Sequence, residues 1–216
     1  MARAKRKAKS GKPGAGAKPG RGGNAPVEAP VEAALRLAAK LGWLEVTLDR
    51  VAEESDLSPA ALKKAYPTRA ALLAGFAQMI DRRVLKGGVV EAGAGSPRDR
   101  LFEVMMRRYE ALTPYRAGIR RIAADAPREP LTLLCLAEPA RRSMAWMLEA
   151  AGIPHRGPLG LLKAKGLALV HAAVMRVWLN DATPDLAQTM AALDRALKFV
   201  EPIAQALFSR RRASAA

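Results

Sequence analysis

Two successive lysines, Lys63 and Lys64, and an arginine shortly after them, Arg69, are the side chains whose type and spacing point most directly to chemistry. Ammonium and guanidinium groups hold phosphate oxygens, the first as a point charge and the second as a planar fork. A lysine can also reach the edge of a guanine. Other chemistries are thinly supplied. Histidine occurs only as His155, in a Pro-Gly loop, and as His171, inside an apolar helical run, with no acid at the spacing of a metal site or a catalytic triad. His171 reads most simply as a hydrogen-bonded buried side chain. Cys135 stands alone in an apolar run without a partner for a disulfide or a metal, which fits a reducing compartment and a structural role. Neither glycine-rich segment has phosphate-loop or dinucleotide spacing, and neither follows a strand. No enzyme activity, no metal and no cofactor are expected.

The elements that must position the cations lie between Val31 and Leu73. The run VEAALRLAAKLGW puts Val31, Ala34, Leu35, Ala38 and Leu41 on one helical face, with Gly42 as a C-terminal stop. Thr47 is placed to cap a second short helix, LDRVAEES, whose Leu48, Val51 and Ala52 turn inward. After a break at Ser55-Asp56-Leu57, Ser58 caps a third helix from Pro59 to about Tyr66, with proline in the first turn where a missing N–H costs nothing. Leu62 and Tyr66, four residues apart, point back to a core, which leaves Lys63 and Lys64 on the open side. Pro67 ends this helix. Thr68 caps a longer fourth one that opens with Arg69, a position suited to a backbone phosphate.

Over about Val31 to Phe76 the chain resembles the TetR family of bacterial transcriptional regulators. The matching features are Gly42-Trp43, Thr47, Val51-Ala52, Ser58, Leu62, Tyr66-Pro67 and the restart Thr68-Arg69-Ala70-Ala71-Leu72. The resemblance implies an all-α, TetR-like fold, with a three-helix helix-turn-helix head on a helical bundle, and double-stranded DNA as partner. It implies DNA contacts from Thr47, Ser58, Pro59, Ala60, Ala61, Lys63, Lys64, Tyr66 and Arg69. Asp56 stands where the family usually has a turn glycine, a change Asp tolerates because it can adopt the left-handed conformation. Ala60, Ala61, Lys63 and Ala65 stand where the family often has Gly, Thr, Tyr and His, so the vocabulary for reading bases is small.

Charge and composition agree with an anionic partner. The 216 residues carry a net charge of +16. Residues 1 to 30 hold +7 of this and the remainder +9. That N-terminal stretch is rich in Gly, Pro, Ala and Lys and has no apolar run, so it reads as a flexible arm. An arm following phosphates beside a DNA-binding head and a tail that serves only solubility are both open readings. The tail lacks the apolar core of a signal peptide, and a cytoplasmic location is expected. Later apolar stretches are interrupted by Lys163, Lys165, His171 and Arg176, so no membrane-spanning helix is expected. The domains expected are a basic tail at 1–26, a DNA-binding head at 27–76, a ligand-binding and dimerisation body at 77–208, and a basic tail at 209–216.

The body begins after the linker Gly87 to Gly95. Ser96-Pro97-Arg98-Asp99 opens a helix with a cap, a first-turn proline and an acid at the third position, running to about Leu112. Helices from Tyr115 to Ala124 and from Glu129 to Ala151 follow, the latter bent or interrupted at Pro139 and ended by Gly152. The last two helices span roughly Leu159 to Leu179 and Pro184 to Phe208. In the second, Leu186, Met190, Leu193, Leu197 and Val200 recur in steps of four and three, and the first offers Leu167, Val170, Val174 and Val177. One pair could close its own core. Two copies would make the intersubunit four-helix bundle by which the resembled family dimerises, and a homodimer through these helices is the expectation. Residues expected to line a pocket for a small apolar ligand are Met105, Met106, Tyr109, Trp146, Met147, Met175 and Trp178, with plain core packing as the alternative for each.

A second resemblance covers much of residues 98 to 198. Trp178, Asp181, Thr183-Pro184-Asp185-Leu186, Thr189 and Leu193 are similar to the C-terminal signature of the ubiquinone-biosynthesis accessory family, which shares the TetR fold and binds lipids; RDRLFEVMMRRYEAL and SMAWMLEAAGI lean the same way. This resemblance implies a lipid in the body and peripheral membrane contact, with Ile203, Leu207 and Phe208 followed by Arg210, Arg211 and Arg212 as an interfacial patch. The register of Lys63, Lys64, Tyr66-Pro67 and Arg69 favours the DNA reading over it.

Overall fold

A computed structural model describes residues 28–88 and 95–213, and of residues 203–213 the backbone alone. The basic arm, most of the glycine-rich linker and the side chains of the C-terminal apolar and arginine cluster lie outside the described residues. Within them the chain is α-helical and has no strand.

Helix α1, Ala29–Leu41, buries Val31, Ala34, Leu35 and Ala38 as its periodicity requires. Leu41 departs from that face and is 49% exposed, because the helix stops there and Gly42 turns the chain away at φ 91°. Helices α2 (Leu48–Glu54) and α3 (Pro59–Ala65) are each started by a side-chain cap: Thr47 accepts from the Arg50 N–H and Ser58 from the Ala61 N–H. Such a cap is worth about 1 kcal/mol. Asp56 takes the left-handed conformation at φ 53° between them. Thr68 caps α4, Arg69–Lys86, which runs without a break from the head into the body.

The body consists of α5 (Pro97–Leu112), α6 (Arg116–Asp125), α7 (Pro130–Ala150), α8 (Gly157–Trp178) and α9 (Ala187–Ala213). Ser96 and Asp99 form a reciprocal capping box at the start of α5. Helix α7 continues through Pro139. Its inward face, with α4, α5, α8 and α9, supplies the core: Met79, Ile80, Val104, Met105, Met144 and Leu193 are fully buried. Side chains of this kind contribute about 1.5–3 kcal/mol each on burial. One ionic contact lies inside. Arg108 of α5 donates to Asp81 of α4, which also accepts from Ser143 of α7, and all three are buried. A pair so placed sets which turns of three helices face each other, since any slip would leave a buried charge unmatched.

Both boundaries of α9 differ from those expected. Helix α9 begins at Ala187, not Pro184, because Leu186 sits at φ 56° in a corner built on Asp181. The buried Asp181 carboxylate accepts from the Thr183 N–H at 3.0 Å, and from the Thr189 N–H and hydroxyl at 2.8 and 2.7 Å. These hydrogen bonds hold Asp181 well below the usual carboxylate range against the opposing effect of burial. At its other end α9 continues past Phe208 to Ala213.

The expected seam joins α9 to α8 within one chain. Leu186, Leu193 and Leu197 are buried with Leu167, Val170 and Val174, while Met190 and Val200 pack at the margin of the same core. What the two helices leave outward is different: Leu169 and Phe199 are each 74% exposed. Among the described residues α8 is also long and apolar enough to cross a membrane, contrary to the expectation that its charges would keep it below that threshold. In this fold it is packed along α7 and α9, and Trp178, Val174 and Leu167 face the protein core.

Candidate nucleic-acid interface

Helix α3 presents Pro59, Ala60, Ala61, Lys63, Lys64 and Ala65 at the surface, while Leu62 is wholly buried beneath them. Thr47 and Ser58, at the starts of α2 and α3, are exposed as well. The positive charge of this face is concentrated on α3. Helix α2 contributes the exposed acids Asp49 and Glu53, and its Arg50 donates to the Glu45 carbonyl at 2.7 Å and lies 3.4 Å from the Glu45 carboxylate.

Two of the residues expected at the interface are placed elsewhere. Tyr66 is buried, with its ring packed so closely on Gly75 that a Cβ there would sit 2.7 Å from the ring, and it supports α3 from below. Arg69 turns inward instead of toward a phosphate. Its guanidinium donates to the carbonyls of Trp43 at 3.1 Å and Val46 at 3.3 Å, pairs with Glu129 at the start of α7, and lies 5.5 Å from the Trp43 ring centroid. The carbonyls of Trp43, Leu44 and Val46 and the Glu129 carboxylate surround its guanidinium.

Arg69 thereby belongs to a joint between head and body. The Trp43 N–H donates to Asp125 at 2.8 Å, the Trp43 indole donates to Glu129 at 3.2 Å, and the Thr132 hydroxyl donates to the same Glu129 oxygen at 3.2 Å. A second joint lies along α1 and α4. Arg83 donates to the Tyr115 hydroxyl at 2.7 Å, and Tyr115 donates to Glu32 at 2.6 Å. That hydrogen bond, helped by Arg83, lowers the Glu32 carboxyl below its ordinary value even though burial opposes the shift. Neither joint was visible in the sequence, since their partners lie far apart in the chain and belong to no local pattern.

The residues expected to line a body pocket are placed in the packed interior or on the surface. Met105, Tyr109, Met147 and Trp178 are fully buried, Met106 is nearly so, and Met175 packs at the core margin. Trp146 is 43% exposed, because Met144, Met147 and Leu148 take the inward side of α7 and leave it pointing away. The Tyr109 hydroxyl lies 2.9 Å from His171 Nδ1. Burial and the cation of Arg108 push the His171 imidazole down to about 3, so it is neutral at physiological pH. Cys135, expected to be structural, is exposed on α7. Among the described residues no group of three His, Cys, Asp or Glu is placed to hold a metal ion.

A cavity does exist, at the end of the body where α5 and α8 begin. It has a volume of ≈ 580 Å³ and is lined by Leu101, Leu148, Ile153, Leu167, Val170 and Leu197, among others. None of Met105, Met106, Tyr109, Trp146, Met147, Met175 or Trp178 lines it. The one local signal for it was Gly166, a glycine inside a helix.

The architecture has counterparts among solved structures. The crystal structure of a TetR transcriptional regulator from Nitrosomonas europaea matches with a TM-score of 0.63 at 20% identity, over 80% of this chain and 96% of the other. A TetR transcriptional regulator from Rhodococcus sp. RHA1 matches with a TM-score of 0.58 at 22% identity, over 80% and 93%. No protein-family model and no curated protein matches. The fold is therefore TetR-like: a helix-turn-helix head, α1 to α3, carried by α4 on an all-helical body.

Proposed function

We propose that this chain is a TetR-type transcriptional regulator. It binds palindromic double-stranded DNA as a homodimer in the cytoplasm, and its DNA affinity is modulated by a small, largely apolar ligand held in the body; it has no catalytic role. The observation that carries the reading is α3, a capped helix anchored by Leu62 and Tyr66 with Lys63 and Lys64 exposed on its outer face. It has the form of a recognition helix whose cations would meet phosphates or guanine edges and whose alanines would lie against thymine methyls. Dimerisation would use the outer faces of α8 and α9, where Leu169 and Phe199 stand in solvent.

Replacing Lys63 and Lys64 together by alanine tests the assignment. DNA binding by the variant should weaken, with the slope of log affinity against log salt reduced by about two, one for each lysine that no longer neutralises a phosphate. Its circular dichroism should match that of the parent. Undiminished DNA affinity would reject α3 as the reading element.

A second reading, a lipid-binding accessory protein of ubiquinone biosynthesis touching the membrane peripherally, is favoured by one observation, the apolar cavity. Its sequence signature has a structural explanation that requires no lipid. Asp181, Thr183 and Thr189 build the α8–α9 corner, and Trp178 lies beneath Arg116 at 4.7 Å, all of which the fold needs in either case.

A further inference from the structure

We propose that the body cavity holds a single-chain amphipathic acid, with the acyl chain along α8 and the carboxylate among Lys163, Arg98 and Arg100. This deepens the ligand part of the function proposed above and does not depend on the DNA part. The volume of ≈ 580 Å³ falls within the range of cavities that hold small molecules.

The wall is apolar along its length and charged at one end. Leu167 and Val170 continue α8 inward from Lys163, and at 1.5 Å rise per residue Val170 lies about 10 Å along the helix from that lysine. Arg98 and Arg100 line it from the first turn of α5, and Arg100 bonds the carbonyl of Ala151, three residues before the Pro154 carbonyl that Lys163 bonds. Among the described residues three cations and one carboxylate, Glu201, line the cavity, an excess of positive charge that suits an anion. The cations are held in place. Arg100 donates to the Ala151 and Gly95 carbonyls, each at 2.9 Å, and Lys163 donates to the Pro154 carbonyl at 2.9 Å. Arg98 lies 3.3 Å from Asp99 and reaches across to α9, 3.8 Å from both Asp194 and Glu201. Burial lowers the Lys163 ammonium from its ordinary range, and a bound carboxylate would raise it again.

Gly166 is the independent sign that the space itself matters. It lines the cavity in the middle of α8, where glycine costs roughly 0.5–1 kcal/mol relative to alanine. Among the described residues nothing in its surroundings requires it, for a Cβ there would have no atom within 4 Å. Gly160, one turn and a half earlier, is the opposite case: a Cβ would collide with the His155 carbonyl. What Gly166 supplies is room.

Calorimetric titration of the full-length protein with dodecanoate, dodecan-1-ol and dodecyltrimethylammonium, each below its micellar concentration, tests the proposal. Dodecanoate should bind at least about tenfold more tightly than the alcohol, the worth of one charge-assisted hydrogen bond, and the cation should bind weakest. Lys163→Met should narrow the gap between acid and alcohol. Gly166→Leu fills the cavity with a better helix former, and should abolish dodecanoate binding with the melting temperature unchanged or raised. Equal affinity for acid and alcohol, or undiminished binding to a folded Gly166→Leu variant, would overturn it. DNA is absent from the titration, so failure here leaves the DNA reading intact, and failure of DNA binding leaves this result intact.

Discussion

Glu129 accepts from the indole of Trp43, from the hydroxyl of Thr132 and from the guanidinium of Arg69, and so ties the first turn of α7 to the turn that follows α1. Its side chain is 13% exposed and that of Arg69 is 30% exposed, so solvent screens the pair only in part. Glu129→Gln keeps the shape and removes the charge. The unfolding free energy from urea titration should fall by about 1–3 kcal/mol, the cost of leaving a partly buried cation unmatched; an unchanged midpoint would mean that the joint contributes nothing. The caps of the same region, Thr47, Ser58 and Thr68, were legible in the sequence because each bonds a backbone N–H three residues away. The role of Arg69 was not, because its carboxylate partner lies sixty positions on. Seen alone, an arginine in a helix's first turn beside two lysines resembles a phosphate contact; the packed structure adds the protein acceptors that surround it.

Helix α6 is the element that joins the two halves. Gly118 lets it lie directly on α1: a Cβ there would sit 2.5 Å from the Leu35 carbonyl oxygen. Just before it in the chain, Arg116 donates to the Asp181 carbonyl and stacks over Trp178 at the α8–α9 corner. Gly118→Ala must therefore push α6 from α1, at a cost of about 1–3 kcal/mol typical of overpacking, read as a lowered denaturation midpoint; a neutral substitution would show that the contact is looser than described. Periodicity and capping located nearly every helix, since those signals are local. They misplaced the start of α9, because Leu186 is held at φ 56° by a corner in which Asp181 bonds Thr189, eight residues on. The residues expected to line a ligand site, chosen for their methionine and aromatic character, fall mostly in the core, with Trp146 on the surface. Apolar periodicity identifies an inward face, and whether that face meets another side chain or a void depends on helices elsewhere in the chain.

For the whole molecule, helical spacing and the family resemblance it carries pointed to an all-α fold with a helix-turn-helix head, and the architecture agrees. The apolar seam of α8 and α9, expected to join two chains, closes the core of a single chain, and Leu169 and Phe199 remain exposed on the outer faces. On the described surface of the head Lys63 and Lys64 stand side by side on α3, whereas Arg36 and Arg50 are paired with Glu54 and Glu45. The +7 of residues 1 to 30 would then add affinity rather than sequence preference. The central claim is that the head reads a two-fold symmetric sequence. Selection of fragments from random double-stranded DNA at physiological salt, by the full-length protein and by a version beginning at Ala25, measures that directly. Enrichment of the same palindrome by both proteins, its half-sites about one helical turn apart, is the predicted result. Salt-sensitive binding without any enriched motif, lost together with the basic arm, would contradict it.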